Sequence, residues 1–267
     1  MATTAPLSQT SHSQLTGRVA LVTGAGHRVG RAIALALGDA GCDVLVHYGS
    51  AASGADETVV LIRAMGRRAE AVSADLADPH AIVALFRAHD ERFGRLDVLV
   101  NSAAVFHGAP LASVAVADWD QTIAVNARAP LLCMQQAASR MAGRVARGEP
   151  PGAIVNLVDL SGAFPWEGYA HHGASKAALV ALTRSAAREL GPDVLVNAVM
   201  PGAILPPPGM SETDDAWLAK ADVLPAGRVG SPSEVGAAVV FLSSSGFVTG
   251  QVLHVDGGEH LLGPIGH

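Results

Sequence analysis

Residues 159–176 (DLSGAFPWEGYAHHGASK) gather a carboxylate, a phenol, two imidazoles and an amine into one short stretch. The run before it, Ala153 to Val158, is apolar, and the run after it, Ala177 to Thr183, carries a helical pattern. Asp159 therefore falls at the carboxyl end of a strand, while His172 and Lys176 lie one turn apart on one helix face. Tyr169, three residues before His172, can face the same cleft. Groups of these types, brought together, exchange protons with a bound molecule as general acids and bases. His171 points to a different helix face, and no Cys/His spacing completes a metal site, so no metal is expected. No G-x-S-x-G turn offers a serine nucleophile.

Such groups need a scaffold, and from Gly17 onward short β-branched runs alternate with longer Ala/Leu-rich helical stretches. Strands are expected at 19–23, 43–48, 69–74, 96–101, 153–158, 194–199 and 251–255. The alternation predicts βαβ units, hence an α/β, Rossmann-type, doubly wound parallel sheet of about seven strands in a single domain, with helices on both faces. Ligands of such sheets bind beyond the carboxyl ends of the strands. Gly24, Tyr48, Asp75, Asn101 and Asp159 all stand at such ends.

The first strand runs into Thr23-Gly24-Ala25-Gly26-His27-Arg28-Val29-Gly30, with a helix beginning near Arg28. Glycines there let backbone approach a pyrophosphate, and the helix amino end supplies free N–H groups with partial positive charge. At the end of the second strand an acidic residue would bind free ribose hydroxyls and repel a 2′-phosphate. The chain reads His47-Tyr48-Gly49-Ser50 with no carboxylate. NADPH is favoured by elimination, with Ser50, His27 and Arg28 as phosphate partners and NADH use left open.

These motifs resemble the short-chain dehydrogenase/reductase family over roughly residues 17–262. The resemblance implies that Asp75 and Leu76 meet the adenine, and that Asn101-Ser102-Ala103-Ala104 lines the cofactor like the family's NNAG motif. It implies that Pro201-Gly202-Ala203-Ile204 presents backbone to the nicotinamide carboxamide, and that Asn126 joins Lys176 and a water in a proton relay. Lys176 would also grip the nicotinamide ribose. Arg28, Phe106 and Asp159 are similar to residues of the pteridine reductase branch, in which Phe106 would stack on a pterin ring and Arg28 would sit near the pterin oxygen. The family's catalytic Tyr, four residues before the Lys, is replaced by His172. Beside an ammonium and out of water an imidazole is expected to be neutral, and a neutral imidazole is a poor acid. Three proton routes follow: His172 directly, Asp159 through a water with His172 assisting, or Tyr169 in place of the missing phenol. The function expected is NADPH-dependent reduction of a pterin or related C=N or C=O bond. The alternatives are a carbonyl or keto-acyl reductase and a nucleotide-binding protein with lost catalysis.

Composition agrees with a globular enzyme: 267 residues, 49% hydrophobic and 16% charged, with a net charge of −6. No basic cluster suggests nucleic acid, and no apolar run approaches the roughly 20 residues that span a bilayer. Residues 1–16 carry neither Lys nor Arg and are expected to form a flexible tail ahead of the domain at 17–267. Cys42 and Cys133, the two cysteines, read as buried thiols in a reducing, cytoplasmic setting. Residues 206–221, with Trp217, read as a lid over the site. The family resemblance implies a homotetramer through helices at 118–147 and 172–190, and His254, His260 and His267 read as surface or interface residues.

Overall fold

The computed structural model describes residues 15–207 and 209–262. Its seven strands are β1 (Val19–Val22), β2 (Asp43–Tyr48), β3 (Ala69–Ser73), β4 (Val98–Asn101), β5 (Gly152–Leu157), β6 (Val194–Pro201) and β7 (Val252–Val255). They form one parallel sheet in the order β3-β2-β1-β4-β5-β6-β7. The order reverses between β1 and β4, which opens the crevice that doubly wound sheets use for ligands.

Alternation along each strand feeds two cores. Ala20 and Val22 of β1 join Val44, Val46, Val98, Val100 and Val155 on one face. There they meet α1 (Arg28–Asp39), α2 (Ala52–Ala64) and α8 (Pro232–Ser244). Val19 and Leu21 face the other way, with Leu45, Leu99 and Ile154, against α3 (Pro79–Phe93) and α5 (Ala129–Met141). A period of two on buried strands thus builds a helical layer on each side. The remaining helices are α4 (Val116–Ile123), α6 (Ala170–Leu190) and the short α7 (Asp215–Leu218).

The expected tail boundary shifts. Leu15 is fully buried in the first core, and its N–H bonds to the Ala40 carbonyl at 3.0 Å. An isolated Leu in a polar stretch gave no period to read. Residues 1–14, Pro208 and 263–267, the last including His267, lie outside the described residues. No helix among the described residues is long and apolar enough to cross a membrane.

At the amino ends of the strands, Asp97 is completely buried. Its carboxylate accepts from the Val19 N–H at 2.8 Å, from Arg95 at 2.6 Å and from Arg144 at 2.6 Å. Burial alone would raise this carboxyl, but the Arg95 bond, the Val19 N–H and Arg144 hold it below the usual carboxylate range.

Cys42 and Cys133 are both buried and free. Desolvation pushes each thiol up to about 12. Because the thiolate is the nucleophile, neither should react with an aromatic disulfide reagent at pH 8 in the native protein. Both should react on unfolding, and a thiol titration in buffer and in guanidinium checks this.

Candidate active site

The turn after β1 is built around glycine. Gly24 has a φ of +67°, and a Cβ there would sit 2.8 Å from the Ala103 Cα. At Gly30 a Cβ would run into the Gly24 carbonyl oxygen. His47, fully buried at the end of β2, braces this turn. Its Nδ1 accepts from the Gly24 N–H at 3.1 Å, so its Nε2 carries the proton that meets the Ala74 carbonyl at 3.1 Å. Burial lowers the His47 pKa, which keeps that neutral wedge intact. The first-turn N–H groups of α1, beginning at Arg28, Val29 and Gly30, have no intrahelical acceptor. Glycine-lined backbone and a helix amino end make a cradle that fits a dinucleotide pyrophosphate.

Around this cradle the residues read from sequence fall into two sets. Exposed at the crevice are His27, Arg28, Ser50 and Asp75, with Tyr48 half-buried and Leu76 buried beside them. Asp75 accepts from the Ala77 N–H at 2.9 Å and shapes its own turn. Arg28 is the one non-glycine residue of positive φ, +50°, among those described. That conformation explains why a glycine would suit the position. Its guanidinium donates to the Pro206 carbonyl at 2.8 Å, tying the glycine turn to the segment after β6. The lid is anchored by Trp217, buried against Ala203 and Leu224.

Asn101 lies behind the crevice. Its amide donates to Asn156 at 2.8 Å, and Asn156 donates to Thr183 at 2.9 Å, in a fully buried chain from β4 to α6. The loop after β4 is held by Thr23, whose hydroxyl accepts from the Ser102 and Ala103 N–H groups at 2.9 and 3.1 Å. After β6, the Gly202 N–H bonds to the Val255 carbonyl at 3.1 Å. The Ala203 N–H bonds to Glu259 at 2.9 Å. Glu259 was not legible as part of the site because its carboxylate returns from the far C-terminus. With Pro201 and buried Ile204 it fixes the backbone that faces the crevice.

At the chemical end, Asp159 caps the single turn Leu160–Gly162. Its Oδ1 accepts from the Ser161 N–H at 3.0 Å and from the Ser161 hydroxyl. Its Oδ2 meets the His172 Nε2 at 2.7 Å and lies 4.0 Å from the Lys176 Nζ. Burial would raise the Asp159 carboxyl, yet the His172 bond, Lys176 and Ser161 together hold it below the usual range. Lys176 is buried, and desolvation lowers its pKa against the opposing pull of Asp159. Its ammonium donates to the Leu157 carbonyl at 3.0 Å. His172 is only 2% exposed, whereas the Asp159 side chain is 20% exposed. Of the two, the carboxylate is the group a substrate can reach.

Asn126 sits in a π-helical segment, Ala124–Arg128, between α4 and α5. Its amide reaches His172 at 3.3 Å and Ser175 at 3.2 Å. The extra residue of a π turn, which rotates a side chain out of α-helical phase, leaves no pattern in an Ala-rich helix. Tyr169 stacks on Phe106 with ring centroids 4.8 Å apart, and Phe106 meets His172 edge-on, also at 4.8 Å. Phe106 stays 42% exposed. His171 turns away onto His107, 5.1 Å between ring centroids. His260 pairs with Asp256 at 2.6 Å, with His254 beside it. Among the described residues no group of three or more His, Cys, Asp or Glu could hold a metal ion.

A glycine cradle and a carboxylate–imidazole–ammonium set, both at the carboxyl ends of a doubly wound sheet, define a dinucleotide-linked oxidoreductase architecture. A family model described as enoyl-(acyl carrier protein) reductase matches residues 24–260. The chain is 35% identical over 245 residues to a 3-oxoacyl-[acyl-carrier-protein] reductase, FabG, of Staphylococcus aureus, covering 91% of this chain and 98% of that protein. Among solved structures, acetoin dehydrogenase from Enterobacter cloacae superposes with a TM-score of 0.83 at 37% identity, over 92% of this chain and 97% of that one. A blue fluorescent protein from a metagenomic library, in complex with NADPH, gives 0.81 at 33% identity, over 92% and 99%. The chain belongs to the short-chain dehydrogenase/reductase family of NAD(P)H-linked oxidoreductases.

Proposed function

We propose that the protein is an NADPH-dependent carbonyl reductase whose substrate is a keto-acyl or similar small oxo compound, with Asp159 exchanging the proton. The observation that carries this reading is the arrangement at Asp159: a partly exposed carboxylate backed by a buried imidazole at 2.7 Å and a buried ammonium at 4.0 Å. The relatives, a 3-oxoacyl reductase and an acetoin dehydrogenase by name, support an oxo substrate. When bound, the dinucleotide supplies the hydride. Gly24, Gly30 and the α1 amino end would hold its pyrophosphate, His27 and Ser50 a 2′-phosphate, and the backbone of 201–204 its nicotinamide amide. Asp159, once protonated, gives its proton to the oxygen that the hydride leaves negatively charged. Lys176 and His172 then stabilise the carboxylate left behind. The site residues of this scheme, cytoplasmic residence and a homotetramer built through α5 and α6 are parts of the same proposal.

A pterin substrate is the second reading, favoured by the exposed Phe106 ring beside Tyr169 and His172. One assay separates the two: NADPH oxidation from pH 5 to 8 with an acetoacetyl thioester, a diketone and a dihydropterin. Turnover of the oxo compounds, strongest at acid pH, is expected. Turnover of the dihydropterin alone would select the second reading. Nucleotide binding with no turnover of any substrate would overturn both in favour of a binding protein.

The cradle has its own test. Gly30→Ala forces the turn after β1 to move away from the Gly24 carbonyl. NADPH affinity, followed by nucleotide fluorescence, should fall by a factor of about ten or more, as loss of a close backbone–phosphate contact implies.

A further inference from the structure

We infer that Asn126 is a positioning residue that locks His172 in one tautomer and thereby confines the site's exchangeable proton to Asp159. The inference rests on the reading of Asp159 as the proton-exchanging group. It starts from the backbone of Val105. The Asn126 Oδ1 accepts from the Val105 N–H at 2.8 Å, and the Asn126 Nδ2 donates to the Val105 carbonyl at 3.0 Å. The backbone of one residue offers one donor and one acceptor in fixed places, so this double bond decides which end of the amide is NH2.

That NH2 is the end facing the His172 Nδ1, at 3.3 Å, and the hydrogen not given to Val105 is shared between this nitrogen and the Ser175 hydroxyl oxygen at 3.2 Å, whose own hydrogen goes to the His172 carbonyl at 2.6 Å. Two N–H groups cannot point at each other, so Nδ1 must present a lone pair. The ring proton then resides on Nε2, where Asp159 accepts it at 2.7 Å. A second proton on the imidazole would have to enter at Nδ1, against the Asn126 amide. Flipping the amide to receive it would break both Val105 bonds.

Around His172, Ser175 of α6 accepts from Asn126 and donates to the His172 carbonyl. On α6 itself Lys176 points to Asp159 and Leu157, and His171 faces His107. Tyr169 stacks on Phe106, whose apolar edge-on ring comes from the loop after β4. The loop after β5 brings Asp159 and Ser161, and the π-helical segment brings uncharged Asn126.

The proton count of the site follows. In its resting state Asp159 is ionised and His172 is singly protonated, so the site is an acceptor. Oxidation of an alcohol uses that state directly: the C–H hydride goes to oxidised dinucleotide, the O–H bond breaks, and its proton goes to Asp159. Reduction needs the reverse state, in which Asp159 has first taken a proton from solvent and then passes it to the alkoxide oxygen. The two directions are therefore governed by one protonation midpoint, reduction fading above it and oxidation fading below it. Asn126 keeps that midpoint low by denying the proton a second resting place on the ring.

The test reads the ring directly. In protein labelled with 15N-histidine, the His172 signal, assigned by its loss in His172→Gln, should show a protonated Nε2 and a bare Nδ1 from pH 6 to 8. In Asn126→Ala, and more strongly in Asn126→Asp, Nδ1 should become protonated. The falling limb of carbonyl reduction should move with it, by at least one pH unit. A proton on Nδ1 in the unsubstituted protein at pH 7 would overturn the lock, as would an Nδ1 that stays bare in both variants. The nitrogen shifts are read without turnover, so a lock that holds in a protein that reduces no oxo substrate would reject the functional reading alone.

Discussion

Replacing Asp159 with Ala is expected to lower kcat for carbonyl reduction about 10³-fold, within the range that a positioned acid or base contributes. The carboxylate is the group of the pair open to the cleft, while His172 behind it is 2% exposed. Asp159→Asn should fall nearly as far, because it keeps the shape of the turn at 160–162 but can neither take up the proton nor balance Lys176. NADPH affinity should change little in either variant, since the cradle lies at β1 and α1. His172→Gln should lose less, for it removes a partner of the carboxylate and leaves the carboxylate itself. Steady-state kinetics beside a nucleotide titration distinguish these outcomes. An Asp159→Ala enzyme within threefold of the parent would remove Asp159 from the chemistry and return Tyr169 or His172 to the role of donor.

The largest loss of stability is expected far from that cleft. Asp97→Ala leaves Arg144, whose side chain is 4% exposed, without its buried partner and strips an acceptor from the Val19 N–H. Breaking a buried pair by removing one member costs about 3–5 kcal/mol, mostly because the surviving charge is stranded. Urea unfolding should show that loss in the midpoint with little change in slope. Replacing Asp97 and its buried partner together, Asp97→Leu with Arg144→Met, should cost clearly less than Asp97→Ala, since the one charge then left without Asp97 is Arg95, whose side chain is 50% exposed and can be solvated. The pH dependence has a definite sign. The folded Asp97 carboxyl lies below its unfolded value, near 3.9 for a free Asp. Its stabilisation is therefore complete above that value and fades as pH falls through the folded one. Acid should unfold the parent protein more steeply than the double variant.

Much of this fold was legible because its signals are local and repeated. Each of the seven expected strands lies within two residues of an observed one, since β-branched runs bounded by Gly and polar residues suit buried parallel strands. The start of α1 at Arg28 and the one-turn spacing of His172 and Lys176 followed from the residue pattern, and the family resemblance brought Asp159 to them. What stayed hidden depends on contacts distant in sequence or on a departure from regular geometry. The positive φ of Arg28 and its bond to the Pro206 carbonyl join segments 178 residues apart. Asn101 was read as lining the crevice, yet Asn156 and Thr183, from β5 and α6, draw its amide inward. The stacking of Tyr169 on Phe106 joins two rings 63 residues apart, which no local pattern announces. Asn126 needed a π turn, and Glu259 needed the chain to return to Ala203 from the other end of the molecule.

Strand β4 carries two assignments at its two ends. Asp97, just before it, closes the Arg95–Arg144 clamp, and Asn101, at its carboxyl end, opens the buried amide chain beside the cleft. Four residues of extended chain separate them, about 13 Å at the rise of a β-strand. Anchorage and chemistry thus occupy opposite rims of one sheet. An engineer could graft a different segment at 206–221 to change the enzyme's substrate and expect the graft's thermal tolerance to be inherited from the untouched lower rim.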